Sequence, residues 1–169
     1  MPVVIATAAD IPKLNKLINS AYRGEESKKG WTSEAHLLGG IRTDENTLRE
    51  LISKPNACIL KYAMAQEDPI GCVFLEKKGL SLYLGLLTVS PLEQAKGIGK
   101  LLLQESEAYA RSHGCPVIEM TVISVRTDLI RWYEHHGYKK TGKTKPFPKD
   151  EKFGIPRQAL EFVVMQKEI

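Results

Sequence analysis

Val89-Ser90-Pro91-Leu92-Glu93-Gln94-Ala95-Lys96-Gly97-Ile98-Gly99-Lys100 joins the end of an apolar run, Leu80 to Val89, to the start of a helical pattern. In that pattern Ile98, Leu101, Leu102, Glu105, Ala108 and Tyr109 recur at three- and four-residue steps until His113-Gly114 ends it. A strand that runs into a helix start gathers backbone N–H groups in one small volume. The first turn of a helix leaves about four of them unsatisfied and carries a partial positive charge. Gly97 and Gly99 lack the Cβ atoms that would hold a phosphate at a distance, and Lys96 and Lys100 add positive charge. The turn therefore has the chemistry of a phosphate cradle, although two glycines alone fit a plain tight turn equally well.

Two owners of such a turn are removed by missing residues. A nucleotide-hydrolase loop reads G-x-x-x-x-G-K-[ST], but Gly99-Lys100 is followed by Leu101, which has no hydroxyl for Mg²⁺. A dinucleotide fingerprint needs a third glycine where Lys100-Leu101-Leu102 stand, and an early βαβ unit in place of hairpin-like strands.

Working outward, Val3-Val4-Ile5 reads as a first strand, and Thr7 with Asp10 as an N-terminal cap pairing. Ile11, Leu14, Leu17, Ile18 and Tyr22 follow at helical spacing. Gly24 to Gly40 reads as a polar loop carrying Trp31. A second helix starts at Thr43 or Asp44, carries Leu48, Leu51 and Ile52, and closes at Pro55. Cys58 to Met64, Ile70 to Glu76 and Leu80 to Val89 read as successive strands, and Val117 to Ile123 as the next after the long helix. Leu129, Trp132, Tyr133 and His136 share a face of a short helix stopping at Gly137. Tyr138 to Thr141 restarts a strand, Lys143 to Arg157 reads as a long loop, and Leu160 to Met165 closes the chain. Hairpin strands mixed with crossover helices, without a repeat or linker, predict one α+β domain with a mixed sheet.

L-x-V-x-P-x-x-Q-x-x-G-x-G-x-x-L-L, read from Leu87, resembles the acetyl-CoA-binding motif of the GNAT superfamily of N-acyltransferases. Leu129-Ile130-Arg131-Trp132-Tyr133-Glu134-His135-His136-Gly137-Tyr138 is similar to that superfamily's later Y-x-x-x-G-[FY] motif. The order βααβββαβαββ also matches, so the resemblance covers essentially all of residues 1–169. It implies a single domain with a mostly antiparallel twisted sheet of about seven strands flanked by four helices. It implies acetyl-CoA as donor, with Leu87 and Val89 lending backbone groups to the pantetheine arm. Gln94, Ala95, Lys96, Gly97, Ile98, Gly99 and Lys100 would then cradle the pyrophosphate, and Tyr133 would lie near the thioester sulfur. The superfamily often has an asparagine seven residues before that tyrosine; Arg126 stands there and is read as a donor-site residue.

An amine attacking a thioester must be neutral, and the departing thiolate must be protonated or stabilised. A phenol with a pKa of about 10 can supply that proton to a thiolate whose conjugate acid lies near 8.5, which makes Tyr133 the candidate acid. The strand before the glycine turn holds no carboxylate, so the candidate bases are Glu34, ranked first beside Trp31-Thr32, Glu25 and Glu26, or a water chain with no single base. By the resemblance, the connection after the first helix borders the acceptor cleft, which singles out Tyr22, Arg23, Trp31 and Thr32 as substrate-binding, with a second loop at Pro146 to Arg157. The acceptor expected is a primary amine of a small molecule or an amino-acid derivative. A protein or peptide amine, and a non-catalytic acyl-CoA-binding module, are the alternatives.

A net charge of +4 spread without a block of like charges offers no nucleic-acid module, and no apolar run reaches the roughly 20 residues a membrane span needs. The N-terminus shows no secretory pattern, and three cysteines without a C-x-x-C pair read as reduced, so a cytoplasmic monomer or homodimer is expected. His135 and His136, adjacent on a helix, point about 100° apart and are not read as metal ligands.

Overall fold

Leu82 and Leu84 point to one face of their strand and Tyr83 to the other, the period-two alternation of a strand buried on both sides. The computed structural model describes residues 2–22, 38–39, 42–94, 96–146, 155–156 and 160–169. The elements are β1 (Val3–Ile5), α1 (Ile11–Tyr22), β2 (Leu38–Gly39), α2 (Glu45–Ser53), β3 (Ala57–Tyr62), β4 (Gly71–Lys78) and β5 (Ser81–Val89). They continue with α3 (Ile98–Ser112), β6 (Val117–Ile123), α4 (Thr127–His135), β7 (Lys139–Pro146), β8 (Ile155–Pro156) and β9 (Glu161–Glu168). Seven strands form one sheet in the order β1-β3-β4-β5-β6-β9-β7, antiparallel throughout except for β5 against β6. Among the described residues four helices flank it, as the α+β reading expects.

The sheet has a core on each side. One gathers Ile11, Leu14 and Ile18 of α1 and Leu48 of α2 against Ile59, Cys72 and Phe74. The other gathers Ile98, Leu102 and Ala110 of α3 and Ile130 and Tyr133 of α4 against Leu60, Leu75, Leu82, Leu84, Ile118 and Met120. The Asp10 carboxylate accepts the Thr7 N–H at 2.8 Å in a 3₁₀ turn that leads into α1, and Asp44 accepts the Thr47 N–H at 2.7 Å to cap α2.

Two loop expectations are corrected. Lys143–Pro146 is strand, because Thr144, Lys145 and Pro146 pair with Val163, Phe162 and Glu161 of β9. β7 is an edge strand exposed along its whole length, so it carries lysines and a proline where a central strand would show an apolar period. Leu38–Gly39 pairs with Ile155–Pro156 as a separate two-stranded sheet, too short to show any period.

Burial pushes the thiol of Cys72 and the phenol of Tyr109 up to about 12, from ordinary values of 9 and 10. Both are neutral in folded and unfolded chains below pH 9 and contribute evenly there. As pH rises above 9 the unfolded chain ionises first and stability is lost. The urea midpoint is therefore expected to hold level from pH 7 to about 8.5 and to fall by pH 10.5.

Candidate active site

β5 and β6 are paired only at their starts, Ser81–Tyr83 against Val117–Glu119; Leu84–Val89 and Met120–Ile123 then run on without pairing to each other. The divergence coincides with a bulge. Cys72 pairs with Thr88 and Phe74 with Gly85, so Leu86 and Leu87 together oppose Val73. Leu86 takes up the extra residue at φ 52°, a left-handed conformation that costs a leucine roughly 1–2 kcal/mol. The consequence is a slip of the alternation. Tyr83 and Leu86 face α1 and α2, while Leu87 and Val89 join Leu82 and Leu84 on the α3 side. Ser90 N–H donates to Ile70 O at 2.8 Å, so the neighbouring Val89 backbone faces the gap. The bulge thus bends β5 and turns its last residues to line the opening.

That opening is a cavity of about 480 Å³ lined by Leu87 and Val89 of β5, the start of α3, Tyr22, and the α4 side chains Leu129, Trp132 and Tyr133. At its rim Gly97 caps α3 at φ 82°, and a Cβ there would meet nothing within 4 Å. The first i→i−4 bond of the helix runs from Leu101 N–H to Gly97 O, so the amides of Ile98, Gly99 and Lys100 precede it. Gln94 donates from Nε2 to Val89 O at 3.0 Å and ties the turn to the strand end. Lys100 lines the cavity, whereas the exposed Lys96 pairs with Glu93 at 2.7 Å. An open glycine rim, a helix start and an apolar throat fit a phosphate-bearing ligand with a long uncharged arm.

Gly99 serves packing as well as approach. A Cβ there would stand 3.2 Å from Trp132 Cζ2 and 3.3 Å from Cη2, so α3 meets α4 through bare backbone. Gly99→Val should cost about 2 kcal/mol by overpacking and lower Tm by roughly 4–8 °C, read by calorimetry.

Tyr133 is 6% exposed, and its ring meets Trp132 at 5.1 Å and Tyr138 at 5.8 Å, both edge-on. Burial holds its phenol well above the usual tyrosine range; the nearby Tyr22, Tyr138 and Tyr83 hydroxyls push the same way, and Arg126 pulls against them. The expectation of an ordinary phenol is thus revised, because the side chain is buried. Tyr22, from the end of α1, donates from its hydroxyl to Leu87 O, pinning the strand where the bulge releases it. Arg126 does not line the cavity. It lies 3% exposed at the start of α4, with Nε 3.6 Å from Asp128 Oδ1, close enough to act on Tyr133 electrostatically.

The structure therefore brings together Tyr22, Leu87, Val89, Gln94, Gly97, Ile98, Gly99, Lys100 and Tyr133. Arg23, Trp31, Thr32, Glu34 and Ala95 lie outside the described residues. No carboxylate among the described residues lines this cavity or a second, smaller hollow on the α1/α2 side, beside Gly85 and Leu86. Sequence reasoning missed the bulge and that hollow. The signal was Gly85, a lone glycine inside a strand.

A parallel strand pair opened by a bulge, with a helix N-terminus at the mouth and a buried phenol in the throat, defines a site shaped for a phosphate-bearing ligand. Residues 14–138 match the model of the acetyltransferase (GNAT) family, and the chain belongs to that family, whose members are acetyl-CoA-dependent N-acetyltransferases. The fold is similar to that of the ribosomal-protein-alanine N-acetyltransferase of Brucella melitensis, at TM-score 0.72 and 21% identity over 100% of both chains. The ribosomal-protein-S18-alanine N-acetyltransferase of Escherichia coli gives 0.72 and 12% over 99% of this chain and 92% of that one. An IAA acetyltransferase of Bacillus cereus gives 0.67 and 14% over 99% and 98%. No curated protein matches the chain. No helix among the described residues is long and apolar enough to cross a membrane.

Proposed function

We propose that this chain acetylates the primary amine of a small molecule or amino-acid derivative, by direct attack in a ternary complex. The observation that carries this reading is that two hollows lie against one bulged strand, on its opposite faces. Leu87 and Val89 line the cavity of about 480 Å³, and Gly85 and Leu86, on the same strand, line a hollow of about 180 Å³ on the α1/α2 side. The smaller hollow has the dimensions of an amine-bearing fragment.

Acetyl-CoA, when bound, supplies the activated carbonyl and the departing thiolate. The amides at the start of α3 and the Lys100 ammonium would hold its phosphates, and the Leu87 and Val89 backbone would hold its arm. Tyr133 presents its hydroxyl proton to the sulfur. Glu34 is the proposed base, and Arg23, Trp31 and Thr32 the proposed acceptor contacts beside Tyr22. No cysteine lines either hollow among the described residues; Cys58 and Cys72 are buried, and their thiols are held above the ordinary value. Direct transfer follows, because a thiol without thiolate character makes a poor acyl carrier.

Purified protein should release thiol from acetyl-CoA only with an amine present, and initial-rate plots should intersect. Parallel plots would overturn direct attack. Donor binding without turnover on any amine or peptide would leave the non-catalytic module. A peptide amine is the second reading, favoured by the activities of the two ribosomal-protein-alanine neighbours; turnover on Ala-starting peptides alone would establish it.

A further inference from the structure

His135 and His136, which are not read as metal ligands, both line the cavity of about 480 Å³, and acetyl transfer as described gives neither a task. Leu129, Trp132 and His136 follow one another at three- and four-residue steps along α4 and its C-cap, and all three border the opening. Exposure rises along this wall: Tyr133 is buried, Trp132 and His136 are half-buried, and His135 is exposed. Trp132 marks the level of the phosphate cradle, because its indole lies against Gly99 at the start of α3. The His136 ring packs on that indole with centroids 4.3 Å apart and planes tilted by 42°, and the His135 ring meets His136 edge-on at 5.6 Å. The histidines therefore stand at the outer end of the cavity, past the cradle as seen from the throat.

The hydrogen bonding of His136 shows what that end can bind. Its Nδ1 lies 2.7 Å from Trp132 O, and a carbonyl only accepts, so Nδ1 carries the proton. In the neutral ring Nε2 is then an acceptor, and it has no hydrogen-bond partner among the described residues. A histidine at a helix end often holds a last-turn carbonyl, and that use accounts for one nitrogen. With Nδ1 turned back to the helix, the Nε2 edge of the ring points away from it. An aromatic wall with one unused acceptor suits a flat heteroaromatic ring that carries an N–H donor on its edge.

We propose that the outer end of this cavity is the subsite for the donor's purine, with adenine packed against the Trp132 and His136 rings and its 6-amino group donating to His136 Nε2. The inference rests on acetyl-CoA as the donor and gives a place to the part of it beyond the pyrophosphate. With the thioester beside Tyr133 in the throat and the pyrophosphate at the start of α3, the adenosine leaves the cradle on the outer side, where these rings are the surface it meets. Stacking of a base on an aromatic ring is tolerant of base identity. The single acceptor supplies the discrimination, because adenine offers an N–H where hypoxanthine offers a carbonyl.

The test measures binding by calorimetry, with no acceptor present, for three probes. They are CoA, 4′-phosphopantetheine, which ends at its phosphate, and the CoA analogue carrying hypoxanthine. The wild-type chain should bind CoA roughly 10–100-fold more tightly than 4′-phosphopantetheine, and roughly fivefold more tightly than the hypoxanthine analogue. His136→Ala should weaken CoA roughly tenfold and leave 4′-phosphopantetheine unchanged. His136→Phe, which keeps a ring and loses Nε2, should recover most of the CoA affinity while binding the two purines alike. Equal weakening of CoA and 4′-phosphopantetheine in His136→Ala would assign the ring to packing around Trp132 and overturn the subsite. Unchanged CoA affinity in His136→Ala would overturn it as well, and so would a preference for adenine that survives in His136→Phe. In each of those cases CoA still binds the wild-type chain; failure of all three probes to bind it would remove the donor itself, and the subsite with it.

Discussion

Gly97→Asp is expected to remove acetyl-CoA binding from a protein that still folds. Gly97 caps α3 at φ 82°, a conformation that aspartate tolerates better than most side chains, and a Cβ there meets nothing within 4 Å. A carboxylate at the cap is favourable for the helix itself, because it neutralises the partial positive charge of the first turn and accepts its N–H groups. Those amides are the ones proposed for the pyrophosphate. The substitution therefore satisfies them internally and sets a negative charge where the ligand brings more. Loss of two charge-assisted hydrogen bonds, together with like-charge repulsion, should weaken the Kd for acetyl-CoA about 100-fold or more, read by calorimetry. Tm should change by less than about 4 °C, since strain and capping oppose each other at about 1 kcal/mol each. Undiminished affinity in Gly97→Asp would mean that the phosphates lie elsewhere. A large fall in both Tm and affinity would mean that Gly97 serves the fold before it serves the ligand.

The contrast with Gly99 shows how far spelling can be read. The Q-x-x-G-x-G pattern located the turn and the helix, while the ligand class came from the resemblance of that motif and the Tyr133 motif downstream to the GNAT superfamily. It did not separate its two glycines. Gly97 is needed for its positive φ and open front, whereas Gly99 is needed because the Trp132 indole lies against it. Contact between α3 and α4 is tertiary, and no local period records it. The seven-stranded sheet was legible for a related reason. Its buried strands are apolar on both faces and bounded by Gly, Pro and Asp, and the helices start at side chains such as Asp44 that cap them. The same double-sided apolarity hid the bulge. Leu84-Gly85-Leu86-Leu87 has leucines for either face, so the slip at Leu86 leaves no trace in the pattern, and Gly85 was the sole hint. Edge strand β7 was half missed for the opposite reason, since lysines facing solvent carry no period at all. Arg126 was placed on the donor by position in a motif, and its burial at the start of α4 follows from packing around Tyr133 that position cannot convey.

Tyr133→Phe should lower kcat by roughly 100–1,000-fold while leaving the acetyl-CoA Kd within about threefold. The ring is held by its edges against Trp132 and Tyr138, and phenylalanine preserves those contacts, so the cavity keeps its shape. What disappears is the proton donor proposed for the sulfur. Burial raises the Tyr133 phenol well above 10, and the sign of that shift decides how it works. The hydroxyl stays protonated across the whole range in which the protein is stable, so it is always ready to donate. A thiolate whose conjugate acid lies near 8.5 is the weaker base, however, and full transfer from a phenol above 10 is uphill by about 2 kcal/mol or more. In the role proposed for it, Tyr133 would therefore act mainly as a hydrogen-bond donor that strengthens as charge grows on the sulfur. It would release its proton only in step with the proton that the attacking amine gives up. Two consequences separate this from a freely titrating acid. The wild-type kcat should show no downward limb from Tyr133 below pH 10, where an unshifted phenol would begin to lose activity. Any acid limb should persist unchanged in Tyr133→Phe, because it belongs to the amine or its base. A tyrosine-dependent alkaline limb near pH 9 would show a phenol less buried than the structure places it, and normal turnover by Tyr133→Phe across pH 6–10 would remove it from the proton path.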